Sequence, residues 1–320
     1  MLVNAPRIDY AVPAMNKTNR EATIEATPTS RSSEVLRQLH IGPTQIQRML
    51  EAHEKGELNL DGLFHARQGA RLVGAAWGQQ VPGRTAVLWP PCVVDGEPEQ
   101  TAKRLQRAVD RYLDSAGVAT SQAIVSRLAH SDARRLRQAG YTQLADIDFI
   151  ASSVDDFPDT QPESEMQFDA FPSGSGDRLA RLVERTYEGT LDCQKLDDAR
   201  AIQDVLVGYK NTGVYRPAWW VACREQGEDV GCVLLADHPD FKQAELIYMG
   251  IVPEMRGRGR GLQTTRFAQW IVGAAGYQQI VLAVDNSNWP AKRMYAEAGF
   301  LTWQQRRVYV RTVSGREHPS

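Results

Sequence analysis

The chain has 320 residues, with 37 Lys and Arg against 39 Asp and Glu and a formal net charge of −2. Apolar types make up 42% and charged types 24%, which excludes a disordered chain and a basic nucleic-acid coat. No run approaches the ~18 apolar residues that a membrane helix needs.

Residues 1–30 are polar and read as a loose arm. A first unit, 31–150, is followed by "ASSVDDFPDTQPESE" (151–165), whose Pro, Ser and acidic content suits a linker. A second unit spans 166–320, and the two units resemble each other. "RLVGAAWG" (71–78) corresponds to "DVGCVLLA" (229–236), both strand-like. "RLRQAGYTQLADIDFI" (135–150) corresponds to "RMYAEAGFLTWQQRRVYV" (293–310). The offset is 157 residues at Gly74/Gly231 and 159 at Gly140/Gly299, near enough to constant to predict a duplication. Cys92, Cys193, Cys223 and Cys232 form no C-x-x-C pair and have no histidine at metal-finger spacing. They read as reduced thiols of a cytoplasmic protein, with no metal site.

In the second unit the pattern predicts a strand near Met166–Ala170 and helices near Arg178–Tyr187 and Asp197–Tyr209. Strands follow near Ala218–Arg224, Val230–Ala236 and Glu245–Val252. A helix at about Gly259–Ala275, a short buried strand at Gln279–Val284 and a helix begun by Pro290 and stopped by Gly299 come next. A last strand, Leu301–Arg311, is expected to close the unit.

Between the strand ending at Val252 and the helix from Gly259 stands "RGRGRG", Arg256–Gly261. By itself the hexamer fits a nucleic-acid tail, a hinge or a phosphate cradle. Helix-start N–H groups lack intrahelical partners and carry the positive dipole end. Gly257, Gly259 and Gly261 let the main chain approach an anion, and Arg256, Arg258 and Arg260 add charge. The flanking elements therefore favour a pyrophosphate cradle. No lysine supplies a P-loop, and Leu262 stands where a dinucleotide fingerprint needs its third glycine.

The hexamer fits [QR]-x-x-G-x-[GA] and resembles the acetyl-CoA loop of the GNAT superfamily of N-acetyltransferases. "NWPAKRMYAEAGF" (288–300) resembles the N-x-x-A-x-x-x-Y-x-x-x-G-F element that follows that loop in many members, through Asn288, Ala291, Tyr295, Gly299 and Phe300. The likeness covers 166–312 directly and 31–150 through the repeat. The implied fold is α/β: two tandem GNAT-like domains, each a mixed, mostly antiparallel twisted sheet flanked by helices. The tandem order, with the active unit second, also resembles the mycothiol synthases in architecture.

The resemblance implies acetyl-CoA as co-substrate and a small-molecule or peptide amine as acceptor, with neither nucleic acid nor membrane as partner. It gives the strand Glu245–Val252 the thioester: the Met249 amide polarises the acetyl carbonyl, and the Ile251 and Val252 backbone holds pantetheine. Leu262, behind the loop, is implied among the cofactor-binding residues with Arg256–Gly261, and Asn288 holds the pantetheine arm. Glu245, eleven residues before Arg256, is the implied general base, and Tyr295 the acid that protonates the thiolate. Glu188, Asp192, Tyr209 and Trp219 are candidates for the acceptor site, Asp197 for a helix cap. Cys193 is not expected to act as a nucleophile, because transfer in this superfamily is generally direct.

The first unit reads "CVVDGEPEQTAKRL" (92–105) at the cradle, with one glycine and three acids. Leu136 stands at the place of Tyr295 and Ala129 at that of Asn288. The expectation is a copy that keeps the fold without the chemistry, and one active site per chain. The rival reading is an acyl-CoA-binding regulatory or assembly module without turnover, with donors longer than acetyl left open.

Overall fold

The computed structural model describes residues 21–172, 174–192 and 201–312. Most of the N-terminal arm, Cys193 and Asp197 therefore lie outside the described residues.

The first half runs β1 (Thr23–Ala26), α1 (Ser32–Gln38), α2 (Pro43–Glu54), β2 (Leu63–Gln68), β3 (Arg71–Val81), β4 (Thr85–Val93), α3 (Glu99–Ser115), β5 (Thr120–Ser126), α4 (His130–Gln138) and β6 (Thr142–Ser153). The second runs β7 (Gln167–Ala170), α5 (Gly176–Tyr187), α6 (Ile202–Lys210), β8 (Val214–Glu225), β9 (Glu228–His238), β10 (Gln243–Ile251), α7 (Arg260–Ala274), β11 (Gln279–Asp285), α8 (Trp289–Glu297) and β12 (Leu301–Thr312). The order of elements is the same in both. Corresponding strands start 157 residues apart at β3/β9, 158 at β4/β10 and 159 at β5/β11 and β6/β12.

The two halves share one twelve-stranded sheet, ordered β1-β2-β3-β4-β5-β12-β6-β11-β10-β9-β8-β7. β4/β5 and β10/β11 are parallel, and the other pairs are antiparallel. One expectation is corrected here. The final strand of each half does not close its own sheet: β12 lies against β5, and β6 lies against β11. The reason lies in the two strands themselves. Both have twelve residues and pair with each other from Leu301↔Ala151 to Val310↔Thr142. That ladder buries Leu144, Ala145, Ile147, Val308 and Val310 in a small core of its own. The segment 151–165 accordingly begins as the end of β6.

Helices cover both faces. α7 and α8 bury Leu246, Phe267, Val272, Ile280 and Tyr295 on one face, while α5 and α6 bury Leu182, Val183, Leu206, Trp220 and Leu234 on the other. Each such Leu or Phe contributes about 1.5–3 kcal/mol. β9 is buried on both sides, which explains its unbroken apolar run.

The halves also touch through their hairpin turns. A Cβ on Gly83, in the β3–β4 turn, would stand 2.4 Å from the Asp204 carbonyl oxygen of α6. Reciprocally, the Arg48 guanidinium of α2 lies 4.8 Å from the ring centre of Phe241, in the β9–β10 turn.

Candidate active site

β10 and β11 pair only from Gln243↔Gln279 to Glu245↔Val281, although β10 continues to Ile251. Past Glu245 the strands splay, and one edge of β10 loses its partner. The Val252 N–H donates to the Val230 carbonyl of β9 at 3.0 Å. Strand alternation then turns the N–H groups of Ile251 and Met249 toward the open edge. Val252 itself is buried and its amide is spent on β9. Of the three backbone groups proposed from the sequence, two face the gap and Val252 does not.

A cleft of about 600 Å³ opens at the splay. Met249, Ile251, Arg256, Gly257, Asn288 and Tyr295 line it. Gly257 and Gly259 have left-handed φ values of 72° and 75°, and a Cβ on either would meet nothing within 4 Å. Backbone conformation, not crowding, requires glycine there. α7 starts at Arg260 without a side-chain cap, and Gln263 is the first residue whose N–H is taken, by the Gly259 carbonyl at 3.1 Å. The N–H groups of Arg260, Gly261 and Leu262 are thus left as a nest for an anion. Gly261 also lets α7 approach α8, since a Cβ would stand 2.7 Å from Met294 Sδ.

The three arginines divide their work. Arg256 donates from Nε to the Ile251 carbonyl (2.9 Å), from Nη1 to those of Glu188 and Gly189 (2.8 and 3.1 Å), and from Nη2 to that of Thr186 (2.8 Å). It ties the loop to the end of α5. Arg260 is buried and bridges Glu165 and Glu225. Arg258 is exposed and, among the described residues, its one hydrogen-bond partner is the Met255 thioether, so its guanidinium is open to an anion.

Tyr295 is buried beside Phe300, with 5.3 Å between ring centres. Burial first, and the nearby Asp192 carboxyl second, push its phenol above the ordinary value, so it keeps its proton. Asn288 lines the cleft but also caps α8, its Oδ1 accepting the Ala291 N–H at 3.2 Å. Asp192 is exposed as a residue, yet its carboxyl points into the cleft and accepts the Asp285 N–H at 2.9 Å. Burial raises its pKa. Tyr209 stacks on Tyr248 (5.7 Å), which Tyr187 meets edge-on (5.8 Å), so three phenols wall one side.

Three proposed residues lie elsewhere. Glu188 contributes a carbonyl to Arg256 and has an exposed side chain outside the lining. Trp219 is core, packed against Tyr277 and beneath Arg216, with no access to the cleft. Glu245 alternates with Ala244 and Leu246, which are buried under α7, so its carboxylate emerges on the opposite face of the sheet from Tyr295. There it accepts from His238 Nε2 at 2.9 Å, and that bond chiefly raises the imidazole pKa.

Residues 179–300 match the acetyltransferase (GNAT) family. That match lies wholly within the second half. The mycothiol acetyltransferase of Streptomyces coelicolor is 24% identical over 273 residues, covering 80% of this chain and 84% of that one. Among solved structures, a GCN5-related N-acetyltransferase from Sphaerobacter thermophilus matches with TM-score 0.65 and 16% identity, over 91% of this chain and 95% of that one. A tandem GNAT protein from the clavulanic acid biosynthesis pathway matches with TM-score 0.56 and 13% identity, over 93% of this chain and all of its own (100%). The structural likenesses establish a shared tandem GNAT fold.

Within that fold the first half differs at the places of Tyr248, Met249, Asn288 and Tyr295 and at the loop that leads into α7. Counted at the offset of 158 residues between the starts of β4 and β10, Pro91 falls at the place of Met249 and Pro90 at that of Tyr248, in the irregular stretch of β4 between Trp89 and Cys92. Proline has no N–H, so the first splay offers no amide there. At the start of α3, Glu97 accepts from Thr101 Oγ1 (2.6 Å) and Gln68 Nε2 (3.1 Å), putting a carboxylate where the second copy presents its nest. Leu136 is core, and Ala129 caps α4 with no side-chain bond. Sequence reasoning missed His238 and the two prolines. "WPPC" is visible in the sequence, but only the bounds of β4 and β10 bring it to the Met249 position; His238 and Glu245 belong to different strands and meet only through the hairpin.

Proposed function

We propose that the chain is an acetyl-CoA-dependent N-acetyltransferase acting on a primary amine by direct attack, with one active site, in the unit 166–320. The unit 31–150 would serve as a degenerate copy, joined through 151–165. The observation that carries this is a single cleft that joins the open β10 edge to a protonated Tyr295 and reaches, through Arg256 and Gly257, the loop that leads into α7.

In this reading the N–H groups of residues 260–262 and Arg258 hold the diphosphate, and Ile251 and Asn288 hold the pantetheine arm. Met249 N–H donates to the thioester carbonyl and stabilises the oxygen as it gains charge. Glu245, backed by His238, takes a proton from the ammonium on the far face of the sheet. The amine nitrogen bonds to the acetyl carbon, the carbon–sulfur bond breaks, Tyr295 gives its proton to the departing thiolate, and the second proton lost by the new amide nitrogen restores the phenol. Three free thiols among the described cysteines support a reducing, cytoplasmic setting.

Calorimetric titration with acetyl-CoA, followed by thiol release with an amine panel, tests this. One site per chain and amine-dependent thiol release are expected. Two sites, or none, overturn it, and binding without turnover on any amine favours a regulatory module.

A further inference from the structure

The strand exchange leaves part of the sheet uncovered on the face that Glu245 shares. Trp303, on β12, is 59% exposed and Leu301 is 76% exposed, an unusual degree for large apolar side chains on inner strands. Phe149, on β6, stands 5.8 Å from Trp303 between ring centres, so each half supplies one ring. With Ala151, Val281 and Ala283 these side chains form a trough of about 670 Å³, within the range of small-molecule sites.

Two further features say what fits. The charged side chains lining the trough are Glu245 and Asp156, both acidic, with no Lys or Arg among the described lining residues. The trough also meets the donor cleft, because Ala283 lines both. At that point the β10–β11 pairing has ended, and Glu245 is the last paired residue before the gap.

We infer that the acceptor is a primary amine carrying an apolar ring, and that the ring rests on Trp303 and Phe149 while the ammonium reaches Glu245. This rests on the acetyl-transfer reading above. The rings and the aliphatic floor take the flat body, the acids match the cation, and the gap beyond Glu245 leads the nitrogen to the thioester. An anionic body would meet two carboxylates. The seam between the halves thus becomes a specificity surface. The degenerate copy then has a role in recognition, because its strand β6 supplies half of the wall.

The test uses the full chain with acetyl-CoA and two probes, phenethylamine and propylamine. Wild-type protein should prefer phenethylamine in kcat/KM, and Trp303→Ala should cut that preference about tenfold, through KM, with acetyl-CoA affinity in calorimetry retained. Phe149→Ala should act in the same direction. Leu128→Ser, exposed outside the trough, is the control expected to keep the preference. The inference fails if Trp303→Ala keeps the wild-type preference or if propylamine is the better substrate. It also fails if Trp303→Ala instead alters the choice between octanoyl-CoA and acetyl-CoA, or dissociates a dimer in sedimentation, since the trough would then hold an acyl chain or a second copy. If acetyl-CoA binds but neither amine is acetylated, equilibrium binding of phenethylamine decides: none overturns the inference, and binding weakened by Trp303→Ala supports it. A chain that binds no acetyl-CoA loses the transfer reading itself, a separate result from the others.

Discussion

Glu245 accepts a hydrogen bond from His238 Nε2 at 2.9 Å, across the hairpin that joins β9 to β10. The bond raises the His238 pKa, so the pair holds its proton above the ordinary imidazole value of about 6.5. A raised histidine stabilises the fold fully below its unfolded pKa, and that contribution fades as pH climbs through the folded value. The rate should run the opposite way, because Glu245 can take the ammonium proton only after the pair has shed its own. The pH profile of kcat/KM should rise through the raised His238 value. In His238→Gln, which removes the high-pKa partner, the acid limb should move to lower pH. Glu245→Gln should lower kcat about 100-fold or more across the range. An acid limb unmoved in His238→Gln would detach the pair from the chemistry.

The division among the arginines can be read by comparing melting with binding. Arg260 joins Glu165 and Glu225, and it alone among the three is buried. Arg260→Gln leaves the half-buried Glu225 carboxylate short of a partner and should cost about 1–3 kcal/mol, visible as a lower Tm without acetyl-CoA. Arg258→Gln removes an exposed cation and should keep Tm while weakening acetyl-CoA by about tenfold. Equal losses of affinity in both variants, at unchanged Tm, would return Arg260 to the cradle.

Tyr295→Phe preserves the ring that packs on Phe300 and removes only the hydroxyl. Because burial and Asp192 keep that hydroxyl protonated, its loss should appear in the step that releases thiolate. The expected result is a fall of about 100-fold in kcat with acetyl-CoA affinity retained in calorimetry. Turnover equal to wild type at every pH would remove Tyr295 from the mechanism.

The sequence discloses the elements because local signals specify them. Pro290 and Gly299 bound α8, the left-handed glycines fix the loop, an unbroken apolar run marks β9 and helical spacing of apolar residues marks α7. It does not disclose the strand exchange. β6 and β12 carry the same alternation whether they pair within or across halves, so pattern alone cannot choose. Nor can it apportion the arginines: Arg256 and Arg260 find their partners at sequence separations of up to 70 and 95 residues. Trp219 reads as pocket wall in the sequence and is core in the fold, because which face an aromatic occupies depends on a β8 register that is irregular between Tyr215 and Trp220.

Gly83 carries the contact by which the first half reaches the second half's cleft. Its φ is 87°, and a Cβ there would stand 2.4 Å from the Asp204 carbonyl oxygen. Backbone, not a flexible side chain, blocks the added methyl, so either the turn or α6 must move. Three residues after Gly208, α6 has ended, and its Tyr209 ring stacks on Tyr248 in the cleft wall. Gly83→Ala should therefore cost about 1–3 kcal/mol in unfolding free energy, from strain and the displaced turn together. It should also raise the KM for amine more than that for acetyl-CoA, since the nest at α7 has no contact with this turn. Comparison with Gly56→Ala, whose φ is 75° and whose Cβ would meet nothing within 4 Å, separates the two effects. Gly56→Ala should lower Tm by backbone strain and leave the amine KM alone. An amine KM unchanged in Gly83→Ala would show that α6 holds its place without the first half.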